Sequence, residues 1–293
     1  MSSRTESYLV GLVGDGVTPS LTPPMHEHEA DLLGLRYLYR PIDLLELGLA
    51  GEAVGSLLRS ARSLGFNGLN ITHPCKQLVL AHLDEISPDA RRLGAVNTVV
   101  IRDGRFVGHN TDWSGFAAAL AAGLPGAALE HVVQLGAGGA GSAVAYALLS
   151  AGVRTLDLVD VDPERAAQRA AELAGFFPDS TITGRTTAEL PQLMPAADGL
   201  VHCTPVGMAA HPGAPLDLEL VESRHWVADI VYRPIDTELV RDARAKGCTV
   251  LDGGRMAVGQ AADAFRIFTG LEPDADRMRS HFLQLVAAEE VAA

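Results

Sequence analysis

The hexapeptide Gly136-Ala137-Gly138-Gly139-Ala140-Gly141 constrains this chain more than any other segment. It fits the spacing G-x-G-x-x-G. An apolar run from His131 to Leu135 leads into it and an alanine-rich run to Ser150 leaves it, so it reads as a turn from a strand into a helix. Each glycine then has a task. Gly136 allows the tight turn, Gly138 lets the backbone approach a pyrophosphate, and Gly141 lets helix and strand pack closely. A helix N-terminus favours phosphate charge, so Gly136 to Ala140 is the predicted dinucleotide cradle; the alternative is a plain glycine turn. The next apolar run reaches Asp160, 19 residues past Gly141. A carboxylate there accepts from both ribose hydroxyls of NAD and repels the 2′-phosphate of NADP; otherwise Asp160 is a solvated loop acid. Neither 161 nor 162 is arginine. Arg165 is the nearest guanidinium, which keeps NADP open as the lesser alternative.

Around this loop, strand-like and helix-like stretches alternate, the mark of an α/β chain. Strands are predicted at 8–13, 35–41, 66–71, 95–101, 105–108, 131–135, 155–159, 199–203 and 226–231. Helices are predicted at 25–33, 52–64, 113–124, from after Gly141 to Ser150, and at 163–175. A further helix starts after Pro74, and a hairpin turns at Asp103-Gly104. The division expected is 1–115 for substrate binding and catalysis, 116–255 for the dinucleotide, and 256–293 as C-terminal helices packing back on the first part. A net charge of −13 argues against nucleic acid and anionic membranes as partners, while a small anionic ligand needs only a local basic patch. The odd, widely spaced Cys75, Cys203 and Cys248 form neither a disulfide framework nor a zinc spacing, which fits a cytoplasmic protein. The start lacks a signal peptide, and no run is long and apolar enough to span a membrane. His26 and His28, two residues apart, do not make a metal motif, and no metal is expected.

The first half carries a second cluster of chemistry. Lys76 follows a strand in Asn70-Ile71-Thr72-His73-Pro74-Cys75-Lys76, near a helix start where the dipole favours a neutral amine suited to proton transfer. Of the 23 basic residues only Lys76 and Lys246 are lysine, which weighs against a casual surface lysine. Asn97 lies in a predicted strand amid Val and Ala, where a buried amide either bonds backbone or reads a ligand. Asp112 closes the run His109-Asn110-Thr111-Asp112 before a helix. It is either an N-cap or an acid that orients a substrate hydroxyl and the lysine. Ser20 and Thr22 are either turn and cap residues or a hydroxyl pair for a carboxylate.

Taken together, the segments 16–27, 67–77, 93–99, 108–112, 136–141, 203–208 (C-T-P-V-G-M) and 251–265 (L-D-G-G-R-M-A-V-G-Q-A-A-D-A-F) resemble the shikimate dehydrogenase family, within it the quinate/shikimate dehydrogenases. The likeness covers nearly the whole chain. It implies an α/β fold with an N-terminal substrate-binding domain and a Rossmann domain, the active site in a cleft between them. It implies Lys76 and Asp112 as the catalytic pair, the lysine taking the C3 hydroxyl proton as hydride leaves for a nicotinamide. Ser20 and Thr22 would bind the carboxylate, and Thr72, Asn97 and Gln260 the ring hydroxyls. Thr204, Val206, Val231, Gly254 and Met256 would line the nicotinamide side.

Three departures refine the expectation. Thr22 stands where shikimate-specific members carry Ser, which resembles enzymes that also accept quinate. Asp160-Val161-Asp162 replaces the Asn-Arg-Thr of NADP-dependent members. Cys75 and Cys203 read as small buried packing residues; Cys75 replaces a Tyr before the lysine, a change that bears on packing or on ring recognition, and it leaves room for an aminoquinate or aminoshikimate of an antibiotic precursor pathway. The function so implied is NAD-dependent interconversion of quinate or shikimate with the 3-dehydro acid. The alternatives are the aminated substrate, an NADP-dependent shikimate dehydrogenase, and a non-catalytic NAD/ligand sensor. The partner expected is a small cyclic hydroxyacid; the assembly is open, with a homodimer among the options.

Overall fold

The structure, a computed structural model, describes residues 7–292. The opening residues 1–6, on which the expectation of no signal peptide partly rests, lie outside the described residues. In chain order the elements are β1 (Ser7–Gly14), α1 (Thr22–Leu32), β2 (Arg36–Asp43), α2 (Leu44–Leu47), α3 (Val54–Ser63), β3 (Gly68–Ile71), α4 (Cys75–Leu78), β4 (Glu85–Ile86), α5 (Pro88–Leu93), β5 (Thr98–Arg102), β6 (Arg105–His109) and α6 (Thr111–Gly123). There follow β7 (His131–Leu135), α7 (Gly139–Ser150), β8 (Thr155–Asp160), α8 (Pro163–Ala174), β9 (Thr181–Thr186), α9 (Leu190–Leu193), β10 (Gly199–His202), β11 (Trp226–Asp229), α10 (Glu238–Ala245), β12 (Thr249–Leu251), α11 (Gly253–Thr269) and α12 (Ala275–Ala292). They form two compact units: residues up to Thr111 together with those from Gln260 onward, and Asp112–Gly259.

The first unit holds a mixed sheet in the order β2-β1-β3-β5-β6-β4. β1 runs parallel to β2 and β3, whereas β5 is antiparallel to β3 and β6. The β5–β6 turn has positive φ at both Asp103 (51°) and Gly104 (75°), the type I′ geometry whose twist matches the strands it joins. Alternation along β1 sends Val13 into one core cluster, with Leu58, Ile71 and Val79, and Val10 and Leu12 into another. The second cluster is closed by Phe265 and Phe268 from the far end of α11. A fully buried Glu29 on α1 fastens α12, accepting from Arg277 at 2.6 and 2.8 Å and from the Asp274 N–H at 2.8 Å.

The second unit is an all-parallel sheet in the order β12-β11-β10-β7-β8-β9. Counted from β7, this is the doubly wound order 3-2-1-4-5-6, with the reversal between β7 and β10. Its inner strands are buried on both faces, so Leu200-Val201 and Val227-Ala228 read as continuous apolar runs rather than alternating ones. Ligands of such sheets bind at the carboxyl ends of the strands, at the reversal.

Two local expectations are corrected. Asn97 lies one residue before β5, because its N–H pairs with the His109 carbonyl and its carbonyl with the Ile71 N–H at the ladder's entrance. Asp112 does not precede its helix: α6 already includes Thr111, so Asp112 sits in the first turn and the N-cap alternative fails. Among the described residues no helix is long and apolar enough to cross a membrane, and no three His, Cys, Asp or Glu are grouped to hold a metal ion.

Candidate active site

In the second unit the carboxyl ends of four strands form one connected surface. The glycine loop leaves β7 with Gly136 at φ 96°, and a Cβ there would lie 2.7 Å from the Cys203 carbonyl oxygen. Gly136 thus presses directly on the segment carrying Thr204. A Cβ at Gly141 would lie 2.1 Å from the Gly136 carbonyl, the close packing of helix on strand expected of the third glycine. Gly138 and Gly139 differ: a Cβ on either would meet nothing within 4 Å. Protein packing does not demand glycine there. The backbone at the start of α7 is bare, with Gly139 and Ala140 exposed.

Asp160 ends β8 and is buried. Its Oδ2 accepts the Ala137 N–H at 2.7 Å, which binds the glycine loop to the neighbouring strand. Arg165, on the first turn of α8, lies across the carboxylate with Nε 3.1 Å from Oδ2 and one Nη 2.5 Å from Oδ1. Burial pushes the acid range of Asp160 up, but the guanidinium and the Asp162 and Ala137 amides outweigh it and hold the group below the ordinary carboxylate range. The predicted ribose acid and the nearest arginine are therefore one ion pair. On the other side of β7, Val206 N–H donates to the Thr204 hydroxyl at 3.3 Å, and Val231 N–H donates to Asp229 at 2.9 Å. Gly253 lets α11 start against this edge, since a Cβ would lie 2.3 Å from the Val231 carbonyl; the N–H of Gly254 donates to Asp252 at 3.1 Å. Met256 follows on α11, half-buried.

In the first unit the predicted residues gather at the ends of β1 and β3. The turn Thr72-His73-Pro74 closes tightly over Gly14, where a Cβ would be 2.3 Å from Thr72 Cγ2 and 3.2 Å from Val17. Ser20 stands three residues on, its N–H on the Val17 carbonyl and its Oγ accepting the Thr22 N–H at 3.3 Å. Both hydroxyl residues are half-buried. Lys76 occupies the single-turn α4, half-buried, and its carbonyl accepts the Val96 N–H at 2.9 Å. That bond ties the lysine's backbone to the residue before Asn97. The Asn97 amide is itself woven into the unit. Its oxygen accepts the Thr111 N–H at 2.7 Å and the Thr98 hydroxyl at 3.0 Å, and its nitrogen donates to the Thr111 hydroxyl at 3.0 Å. Gln260 sits half-buried in α11. Asp112 and Lys76 belong to different units.

Cys75 does not face a ligand. Its side chain is fully buried in the apolar cluster with Val13 and Val79, its Sγ 3.5 Å from the Gly51 carbonyl, and burial pushes the thiol up to about 11. That is the expected packing role; direct ring recognition by the thiol is not supported by the placement. Two further groups escaped sequence reasoning. Asp43 anchors the loop that carries Ser20, accepting the Thr18 N–H, the Gly16 N–H and the Thr18 hydroxyl at 2.9–3.0 Å; led by the Thr18 amide, these bonds hold it below the usual carboxylate range. An acid ending a strand just before Leu-Leu-Glu was the available signal. Asn70 is buried, accepts the Tyr39 hydroxyl at 2.5 Å and donates to Thr98 at 2.9 Å, continuing the Asn97 network under the sheet.

The family described as shikimate dehydrogenase substrate binding domain matches residues 12–99, and the shikimate 5′-dehydrogenase C-terminal domain matches residues 254–281. The chain is 87% identical over 293 residues, all of both chains, to a protein of Pseudarthrobacter chlorophenolicus named shikimate dehydrogenase (NADP(+)). It is 52% identical over 281 residues to a Corynebacterium efficiens protein named quinate/shikimate dehydrogenase (NAD(+)), covering 96% of this chain and 99% of that one. Among solved structures, quinate dehydrogenase from Corynebacterium glutamicum in complex with NAD superposes with a TM-score of 0.91 at 51% identity, over 95% of this chain and 99% of that chain. With the doubly wound sheet, the glycine loop and the Lys76 segment in place, the chain belongs to the shikimate dehydrogenase family of oxidoreductases.

Proposed function

We propose that this protein interconverts shikimate or quinate and the corresponding 3-dehydro acid, with NAD as the preferred carrier, in the cytoplasm. The observation that carries the carrier reading is the buried carboxylate of Asp160 at the end of β8, bonded to the glycine loop through Ala137. It stands where ribose hydroxyls arrive in a doubly wound sheet, and its negative charge opposes a 2′-phosphate. The residues fit a dinucleotide. The open backbone from Gly136 to Ala140 takes the pyrophosphate, while Thr204, Val206, Val231, Gly254 and Met256 line the nicotinamide side. When bound, the dinucleotide supplies the hydride acceptor.

The chain's own residues do the rest. Ser20 and Thr22 hold the substrate carboxylate, and Thr72, Asn97 and Gln260 read ring hydroxyls. Lys76 takes the proton from the C3 oxygen as that carbon is oxidised and returns it in the reverse direction. Asp112 orients the hydroxyl. The weave of Asn97 with Thr98 and Thr111 supports this reading, because it sets the backbone immediately before Asp112.

A second reading, NADP as the carrier, is favoured by Arg165, whose guanidinium is the half-exposed member of the Asp160 pair, and by the names of relatives such as the Pseudarthrobacter protein. Nicotinamide absorbance, with shikimate and quinate each paired with NAD and NADP, separates the two. The expected result is turnover with NAD at least about tenfold above NADP, the size of one charge-assisted hydrogen bond, and a selective loss of NAD use in Asp160→Ala. Preference for NADP, undiminished in Asp160→Ala, would sink the Asp160 argument and leave the arginine as the reader.

A further inference from the structure

β10 and β11 pair in register as Leu200↔Val227, Val201↔Ala228 and His202↔Asp229. The first two pairs are apolar, as a sheet covered on both faces requires. The last is ionisable on both sides, although His202 is 0% and Asp229 2% exposed. Burying such a pair costs desolvation that an apolar pair avoids. The exception falls at the carboxyl end of β10, beside the reversal of strand order where ligands bind.

The hydrogen bonds run in one direction. Asp229 accepts the Val231 N–H at 2.9 Å and the Thr237 hydroxyl at 2.7 Å, the latter donating because a carboxylate only accepts; the Thr237 oxygen in turn accepts the Val240 N–H. Nδ1 of His202 lies 2.9 Å from Asp229 Oδ1, so the carboxylate fixes the proton on that nitrogen. In the neutral ring Nε2 is then the acceptor for the Thr204 hydroxyl, 2.5 Å away, whose oxygen also accepts the Val206 N–H. One chain of bonds, buried at His202 and Asp229 and half-buried at Thr204, therefore sets the Thr204 hydroxyl and the Val206 and Val231 backbones.

We propose that His202 and Asp229 are positioning residues for the nicotinamide half of the site: through Thr204, Val206 and Val231 they fix the surface against which the reacting ring lies, without touching it. This deepens the functional reading above and rests on it. A packing role alone would be served by the apolar pairs next in register. A network fixing that surface predicts that its loss is felt by the nicotinamide end of the ligand and not by the adenosine end.

The test measures binding to the full chain of NADH and of ADP-ribose, which lacks the nicotinamide; if the carrier proves to be NADPH, that molecule and 2′-phospho-ADP-ribose replace them. His202→Asn is expected to weaken the dinucleotide about tenfold while the ADP-ribose ligand stays within about twofold. Thr204→Val, equal in shape but without the hydroxyl, is expected to reproduce most of that loss, and Thr204→Ser to restore the affinity. The Thr204 pair decides alone if His202→Asn does not fold. Equal weakening of both ligands, or equal behaviour of Thr204→Val and Thr204→Ser, overturns the proposal. An unaltered chain that binds neither ligand overturns the functional reading itself, and this inference with it.

Discussion

In the parallel-sheet unit the proposed ligand-facing end is built from backbone; in the mixed-sheet unit it is built from side chains. The first needs residues that are absent: no Cβ at Gly138 or Gly139 is opposed by protein, and Gly141 packs against the Gly136 carbonyl. The second needs side chains held in place by other side chains, with Asn97 bonded to Thr98 and Thr111 and with Asn70 bonded to Tyr39. Backbone sites tolerate changes in neighbouring side chains and fail when a Cβ is added. Side-chain sites fail when a polar partner is removed and its buried mate is left unsatisfied.

The sharpest test of that contrast is at Lys76. Lys76→Ala is expected to lower kcat by about 10²- to 10⁴-fold with dinucleotide affinity unchanged, which steady-state kinetics and a binding titration read together. A loss of dinucleotide affinity would mean that α4 serves folding rather than proton transfer.

Next in size is a pair of glycine substitutions. Gly141→Ala places a methyl against a backbone oxygen 2.1 Å away, and a loss of about 3 kcal/mol or more is expected in denaturant unfolding. Gly138→Ala meets nothing within 4 Å, so stability should hold within about 1 kcal/mol while dinucleotide affinity falls about tenfold or more. If the two variants behave alike, the division between packing glycines and ligand-facing ones is lost.

A smaller effect belongs to the mixed-sheet unit. His26 is fully buried among Tyr37, Tyr39 and Phe265, and burial lowers its ring from 6.5 to about 3. The unfolded chain takes up a proton below pH 6.5 that the folded chain refuses. The stability from this group is therefore complete above pH 6.5 and is lost as the pH falls toward 3, by up to about 1.4 kcal/mol per pH unit. His26→Phe cannot protonate and should flatten the decline measured by urea unfolding across that window. An unchanged slope would assign the acid sensitivity to other groups.

The same contrast explains what was legible in the sequence. The glycine loop, its flanking strand and helix, and Asp160 lie close along the chain, and the period change from strand to helix marks them. The Asp103-Gly104 turn was legible for the same reason. Asn97 was placed inside a strand because Ala-Val-Asn-Thr-Val is apolar enough to pass for one, whereas the ladder starts only at Thr98. Asp112 was set outside its helix because a polar run hides the first turn. Cys75 reads as a small packing residue from its type alone and lies in the core, while its neighbour Lys76 is half-buried: in one helical turn adjacent residues face apart. His202 and Asp229, 27 residues apart, become partners only through the order and register of β10 and β11, which no local pattern reports.

All three cysteines are free, and none is ready to react. Cys75 is raised to about 11 by burial, and burial also lifts Cys203 and Cys248 above their ordinary range. Alkylating reagents need the thiolate, so near neutral pH these upward shifts slow the labelling of the native thiols. A cysteine introduced at Val161, 83% exposed and next to Asp160, would take a fluorophore selectively. The chain is thus suited to carry an optical reporter beside the proposed carrier site.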